Sequence, residues 1–212
     1  MKTSIGLKTV LGAASLALPL MAFAESNVQT GAATAAPGAT AHVDFSIVIP
    51  KILYLRVGTG SSYTTGVLSS NPAVDLITFS PTAAQVGNGT AVAGTGGDLT
   101  GGVETAAVVS NSGNVTLNAT ATGALSDGAG DTIPFSQITT TSTTLTSATA
   151  LPAPVLTNAT SANVVLTAPA TKVIVEDAKW TFAYANTATV PTGTYGGVNT
   201  NNSRVVYTAT MP

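Results

Sequence analysis

The sequence predicts an all-β protein built as an antiparallel β-sandwich, with loops rich in Gly, Thr and Ala. Three observations predict it. Apolar residues alternate at a period of two along one segment after another, and almost nowhere at the helical period of 3.6. These segments are short and β-type, and they are bounded by Gly, Asn, Pro and Ser, as sandwich strands are. No fixed period runs through the chain, which excludes a solenoid.

Residues 1–24 are set apart from that fold. In "MKTSIGLKTVLGAASLALPLMAFAES", Lys2 and Lys8 form a positive start, Val10 to Met21 an apolar stretch, and Ala22-Phe23-Ala24 a small-x-small cleavage site. This is the layout of a Sec-type signal peptide. It predicts export to the periplasm, the cell surface or the medium, and no later run approaches the roughly 20 apolar residues of a membrane-spanning helix. Residues 25–41, "ESNVQTGAATAAPGATA", carry no bulky side chain beyond Val28 and read as a flexible leader. Residues 42–212 then form a single sandwich domain.

The first element is the densest apolar run of that domain, "HVDFSIVIPKILYLRVG". Val43, Phe45, Ile47 and Ile49 share one face, opposite His42, Asp44, Ser46 and Val48. Beyond Pro50, Leu53, Leu55 and Val57 share a face opposite Ile52, Tyr54 and Arg56. Proline has no N–H for a central ladder. The pattern therefore predicts one core strand over 43–57 that bends, or changes sheets, at Pro50.

"VDLITF", residues 74–79, predicts a short strand. "ETAAVVSNSGNVTLNAT" predicts a hairpin turning at Asn111-Ser112-Gly113-Asn114, with Val115, Leu117 and Ala119 inward. "NVVLTA" and "KVIVEDAKWTFAYAN" are further strands, the second placing Trp180, Phe182 and Tyr184 on one core face. Between them, "AQVGNGTAVAGTGGDLTGG" and "TTTSTTLTSATALPAP" read as loops or irregular edge strands. The last strand, residues 203–211, turns Val205, Tyr207, Ala209 and Met211 one way. It is predicted to lie in a sheet packed on, or hydrogen-bonded to, the segment 43–57.

That closing stretch, "KWTFAYANTATVPTGTYGGVNTNNSRVVYTATMP", carries a resemblance. An aromatic strand, then Gly-x-Tyr, then an alternating strand with a late tyrosine is similar to the C-terminal halves of bacterial fimbrial subunits and related pilin-like surface β-sandwiches. The resemblance covers about the final 35 residues and, more loosely, residues 43–57. It implies an Ig-like or pilin-like sandwich. It implies also that a periplasmic chaperone pairs with the terminal strand at Val205, Tyr207 and Ala209, and that an N-terminal extension of another subunit completes the fold by strand addition. Two features depart from the family: there is no cysteine for its frequent disulfide, and residues 25–41 lack the alternating large side chains of a donor strand. Whether 43–57 completes its own sandwich or is donated stays open at this point. Val43, Phe45, Ile47, Ile49, Val205, Tyr207 and Ala209 are the candidate strand-pairing residues.

Signals for catalysis, metals and cofactors are sparse. Without residues 1–24 the net charge is 5 − 9 = −4, which argues against nucleic acid and anionic membrane as partners. With one His and no Cys there is no Cys–His pair and no His cluster for zinc. A Ser-His-Asp triad would have to recruit His42, which reads instead as a surface side chain beside Asp44. Glu176 and Asp177 are adjacent and point to opposite faces, a poor acid–base pair that is expected where the strand bulges or meets solvent. In "SDGAGDT", Asp127 and Asp131 with loop carbonyls are conceivable calcium ligands, but Asp-Gly is itself a turn signal. No cofactor is expected.

The reading is an exported, non-enzymatic structural or adhesive surface protein. It is a pilin-like or fimbrial subunit, or a fimbria-associated protein, that assembles through β-strand pairing with copies of itself or with other filament subunits. The second reading is a secreted carbohydrate- or host-binding module, for which Tyr54, Tyr63 and Tyr195 would supply a sugar-stacking platform.

Overall fold

A computed structural model describes residues 26–33, 38–58 and 68–212. The signal peptide expected over residues 1–24 and Tyr63 lie outside the described residues. The chain divides into two units, residues 1–49 and Pro50–Pro212. The described part of the first unit contains no strand, and every described residue in it is exposed.

The second unit is built of strands joined by loops, with no α-helix among the described residues, an antiparallel β-sandwich as the period-two pattern predicts. Its strands are β1 (Leu53–Val57), β2 (Ile77–Thr78), β3 (Val92–Ala93), β4 (Thr95–Gly96), β5 (Val103–Ser110) and β6 (Val115–Ala121). There follow β7 (Leu125–Ser126), β8 (Thr132–Ile133), β9 (Ile138–Thr143), β10 (Val164–Leu166), β11 (Ile174–Tyr184) and β12 (Val205–Thr210). One sheet runs β1-β5-β11, with β9 on the far side of β11 and β3 beside its end; the other runs β10-β6-β12. Two small ladders, β2 with β4 and β7 with β8, stand apart.

The core fills the space between the two large sheets. Ala106, Val108, Ala178, Trp180 and Phe182 come from one sheet, and Val115, Leu117, Ala119 and Leu166 from the other. Strand β6 shows why alternation was a reliable signal: Val115, Leu117, Ala119 and Ala121 are buried while the threonines and Asn118 between them are not. Trp180 is fully buried, and its indole N–H donates to the Leu151 carbonyl at 2.8 Å, so its one polar atom is satisfied inside.

Three expectations are corrected and one is met in part. The predicted core strand over 43–57 begins only at Leu53; residues 43–49 form no strand, and Phe45 and Ile47 are 90% and 86% exposed. Strands β5 and β6 are not a hairpin, because they belong to different sheets. The polar groups of their link are instead spent on other segments: Gly113 N–H on the Lys172 carbonyl at 3.0 Å, and Asn114 Oδ1 on the Ala168 N–H at 2.9 Å. Strand β12 takes its ladder hydrogen bonds from β6 along its whole length, but it lies beside β1 over the same core, so the expected packing on the segment 43–57 holds through residues 53–57 and the alternative of a ladder with it does not. Asp177, expected in solvent or a bulge, is buried within a regular ladder.

Candidate strand-pairing site

The two flanks of the sandwich are built differently. On one, the segment 150–161 runs across from sheet to sheet. Leu151 N–H donates to the Asp177 carbonyl of β11 at 3.1 Å, while Ala121 N–H of β6 donates to the Ala159 carbonyl at 3.2 Å and Ser161 N–H donates to the Ala119 carbonyl at 2.8 Å. Leu151 and Leu156 are buried between the sheets. That flank is closed.

On the other flank the edges are β1 and β12. Among the described residues each has a ladder on one side only, β1 with β5 and β12 with β6, and the two lie near each other without pairing. Leu53, Leu55 and Val57 from β1 and Val205, Tyr207, Ala209 and Met211 from β12 all pack against the main core, yet every one of them stays only partly buried. Tyr207 tilts against Trp180, ring centres 5.3 Å apart, and burial, with the nearby Glu104 charge, pushes its hydroxyl pKa up. An apolar interior thus reaches a flank whose two bordering strands offer unpaired N–H and C=O groups, which is the geometry that an added strand satisfies. One end is tied by Lys51, whose Nζ donates to the Pro212 carbonyl at 2.9 Å.

At the opposite end of β1 the chain is fixed by a cluster that the sequence did not announce. Asp98 lies next to Arg56, Nη2 to Oδ2 3.5 Å, and accepts the Thr105 N–H at 2.8 Å and the Thr105 hydroxyl. Glu104 is buried and accepts the Asp98 N–H at 3.2 Å. Burial, reinforced by the charges of Asp75 and Asp98, pushes the Glu104 carboxyl up to about 8. Gly58, at φ 73°, passes so close that a Cβ would sit 2.5 Å from carboxylate oxygens of both Asp75 and Glu104. Only glycine fits there.

Of the sequence-predicted residues, the site brings together Val205, Tyr207 and Ala209 with Leu53, Leu55 and Val57. Val43, Phe45, Ile47 and Ile49 are exposed on the preceding segment, from 72% to 90%. No family model and no curated protein matches the chain. The site is therefore read from its own geometry.

The other candidates come out as structure. His42 and Asp44 are exposed. Asp127 Oδ1 accepts the N–H groups of Ala129, Gly130 and Asp131 at 2.8–3.1 Å, the first of which contributes most to holding its carboxyl below the usual range. Its carboxylate shapes the β7–β8 turn. Among the described residues no group of three or more His, Cys, Asp and Glu is placed to hold a metal ion. Tyr195 is half-buried against Val92, Ile133 and Tyr184, and its hydroxyl donates to the Pro191 carbonyl at 2.9 Å, so it is committed to packing and not to a sugar platform. A shallow depression of about 250 Å³ between residues 136–140 and 153–156 is lined by aliphatic and hydroxyl side chains without an aromatic or a charge.

Proposed function

We propose that the protein is an exported structural subunit of a surface filament, pilin-like in design, that assembles by lending the alternating segment 43–49 of one copy to the open β1/β12 flank of another. One observation carries the reading. The segment holds four large apolar side chains at every second position, all exposed, and the described residues also leave two strand edges without a ladder over an incompletely covered core. Isolated exposed apolar residues need no explanation, but a strand-patterned row of them does. Strand addition satisfies both halves at once: the ladder uses the free backbone groups, and Val43, Phe45, Ile47 and Ile49 cover the core. Low charge across the chain, 8% of residues, suits packing against copies. The sandwich architecture and the resemblance of the closing strands to fimbrial subunits point the same way. The reading needs no catalytic residue, and a periplasmic chaperone would protect the open flank before assembly.

The test uses purified protein and a labelled peptide with the sequence of residues 42–50. Native protein should form concentration-dependent oligomers. Ile47→Asp should remain monomeric, unfold at the native midpoint to within about 0.5 kcal/mol because the site is exposed, and still capture the peptide. Native protein that stays monomeric at every concentration and captures no peptide overturns the proposal.

A further inference from the structure

Resting on that strand-exchange reading, we infer that Asn111 commits the segment 43–49 to a second copy of the chain, by holding the link before β1 on the β5 side and so preventing the segment from closing onto its own molecule. Only Pro50, Lys51 and Ile52 separate Ile49 from Leu53. That is a hairpin-length link, since hairpin loops run to about 2–5 residues. A hairpin would lay 43–49 along the free edge of β1 and hide its apolar row without any partner. It would also have a large kinetic and thermodynamic advantage, because a short tether supplies an effective concentration on the order of millimolar. A subunit meant to polymerise has to suppress that closure.

Asn111 sits one residue beyond β5, where the chain leaves the sheet, and its side-chain amide continues the ladder in place of the departed backbone. Its Oδ1 accepts the Ile52 N–H at 2.8 Å, its Nδ2 donates to the Pro50 carbonyl at 2.8 Å, and its own N–H reaches the Ile52 carbonyl at 3.4 Å. The amide therefore does what a peptide group would do, one acceptor and one donor spaced along an extended strand. Pro50 has no N–H, so its carbonyl is its one backbone hydrogen-bonding group, and Asn111 holds it. A turn over residues 50–52 would have to reorient the Pro50 carbonyl and so give up its bond to Asn111. Bonded to Asn111 through Pro50 and Ile52, the link is held on the β5 side of β1, which leaves the other edge of β1 to a strand from another molecule.

Two variants test this by separate routes. Asn111→Ala removes the clamp, and insertion of Gly-Gly-Ser-Gly between Ile49 and Pro50 leaves Asn111 in place but gives the segment a free loop. Both should shift from oligomer to monomer and capture the labelled 42–50 peptide at least tenfold more weakly than native protein, because their own segment occupies the edge. Adding Phe45→Asp to either should restore capture, which misfolding would not allow. If Asn111→Ala fails to fold, the insertion decides: an insertion variant that oligomerises and captures peptide like native protein overturns the inference. A self-closing insertion variant beside an unchanged Asn111→Ala overturns the role of Asn111 alone and leaves strand exchange standing. Native protein that neither oligomerises nor captures peptide removes both.

Discussion

Asp177 is a charge placed within the longest strand, and one loop exists in its present shape because of it. Its Oδ1 accepts the N–H groups of Thr146 and Ser147, each at 2.8 Å, the Thr146 hydroxyl reaches Oδ2, and the Ser147 hydroxyl bridges to the Asp177 backbone. Burial pushes the carboxyl up, but these donors outweigh it and hold the group below its ordinary value. Asp177→Ala should cost about 2 to 4 kcal/mol in urea unfolding, since it strands several donors at once. It should also expose residues 144–151 to protease. Glu104 runs in the other direction. Its folded carboxyl titrates near 8 against an ordinary 4.5, so folding takes up a proton between those values and stability falls as pH rises from about 4.5 to about 8. Urea midpoints measured at pH 5 and pH 8 should show that decline in native protein, and Glu104→Gln should flatten it.

Strands succeed here where both backbone partners and a covered face are present, and β12 marks the boundary case. It is paired on one side only, and Tyr207 is half-buried although its ring meets Trp180. Tyr207→Ala should therefore cost about 2 to 3 kcal/mol, below the ~3–5 kcal/mol of a fully buried aromatic. Calorimetry can check this, and a loss under about 0.5 kcal/mol would mean that the strand contributes little to the core. The segment 43–49 fails the same criteria in this molecule. Its apolar residues recur at every second position as those of β6 do, with Val48 as an exception, but among the described residues it has no ladder and no cover, so it stays exposed. The link 111–114 teaches a related lesson: Asn, Ser and Gly there do signal a reversal, yet the reversal carries the chain from one sheet to the other.

At the scale of the whole sandwich, residues 150–161 seal one flank, and no described segment seals the β1/β12 flank. A strand bound there would stabilise the fold by mass action. At 100 times its Kd, the 42–50 peptide should add about 2.7 kcal/mol. For a domain of this size that is a rise in Tm of about 5 to 10 °C, measurable by differential scanning calorimetry on Ile47→Asp, whose own segment is disabled. No shift at saturating peptide would mean that the flank does not accept this strand.

The sequence by itself determined the all-β class, the inward faces of β6, β11 and β12, and Trp180 as core, because period-two alternation is a local property that each strand carries alone. It also held the strand pattern of residues 43–49. Only the tertiary structure decided where that pattern is used, since a strand exists by virtue of a partner that the local sequence does not name. Asn111, Asp98 with Glu104, and Asp177 were illegible for the same reason. Each acts on backbone or side chains distant in the chain, Asn111 on Pro50 and Ile52 and Asp177 on Thr146 and Ser147. A lone asparagine or aspartate in a Thr- and Asn-rich chain carries no mark of what it will hold. The open flank was likewise invisible, because an unpaired edge is defined by the strand that is missing beside it.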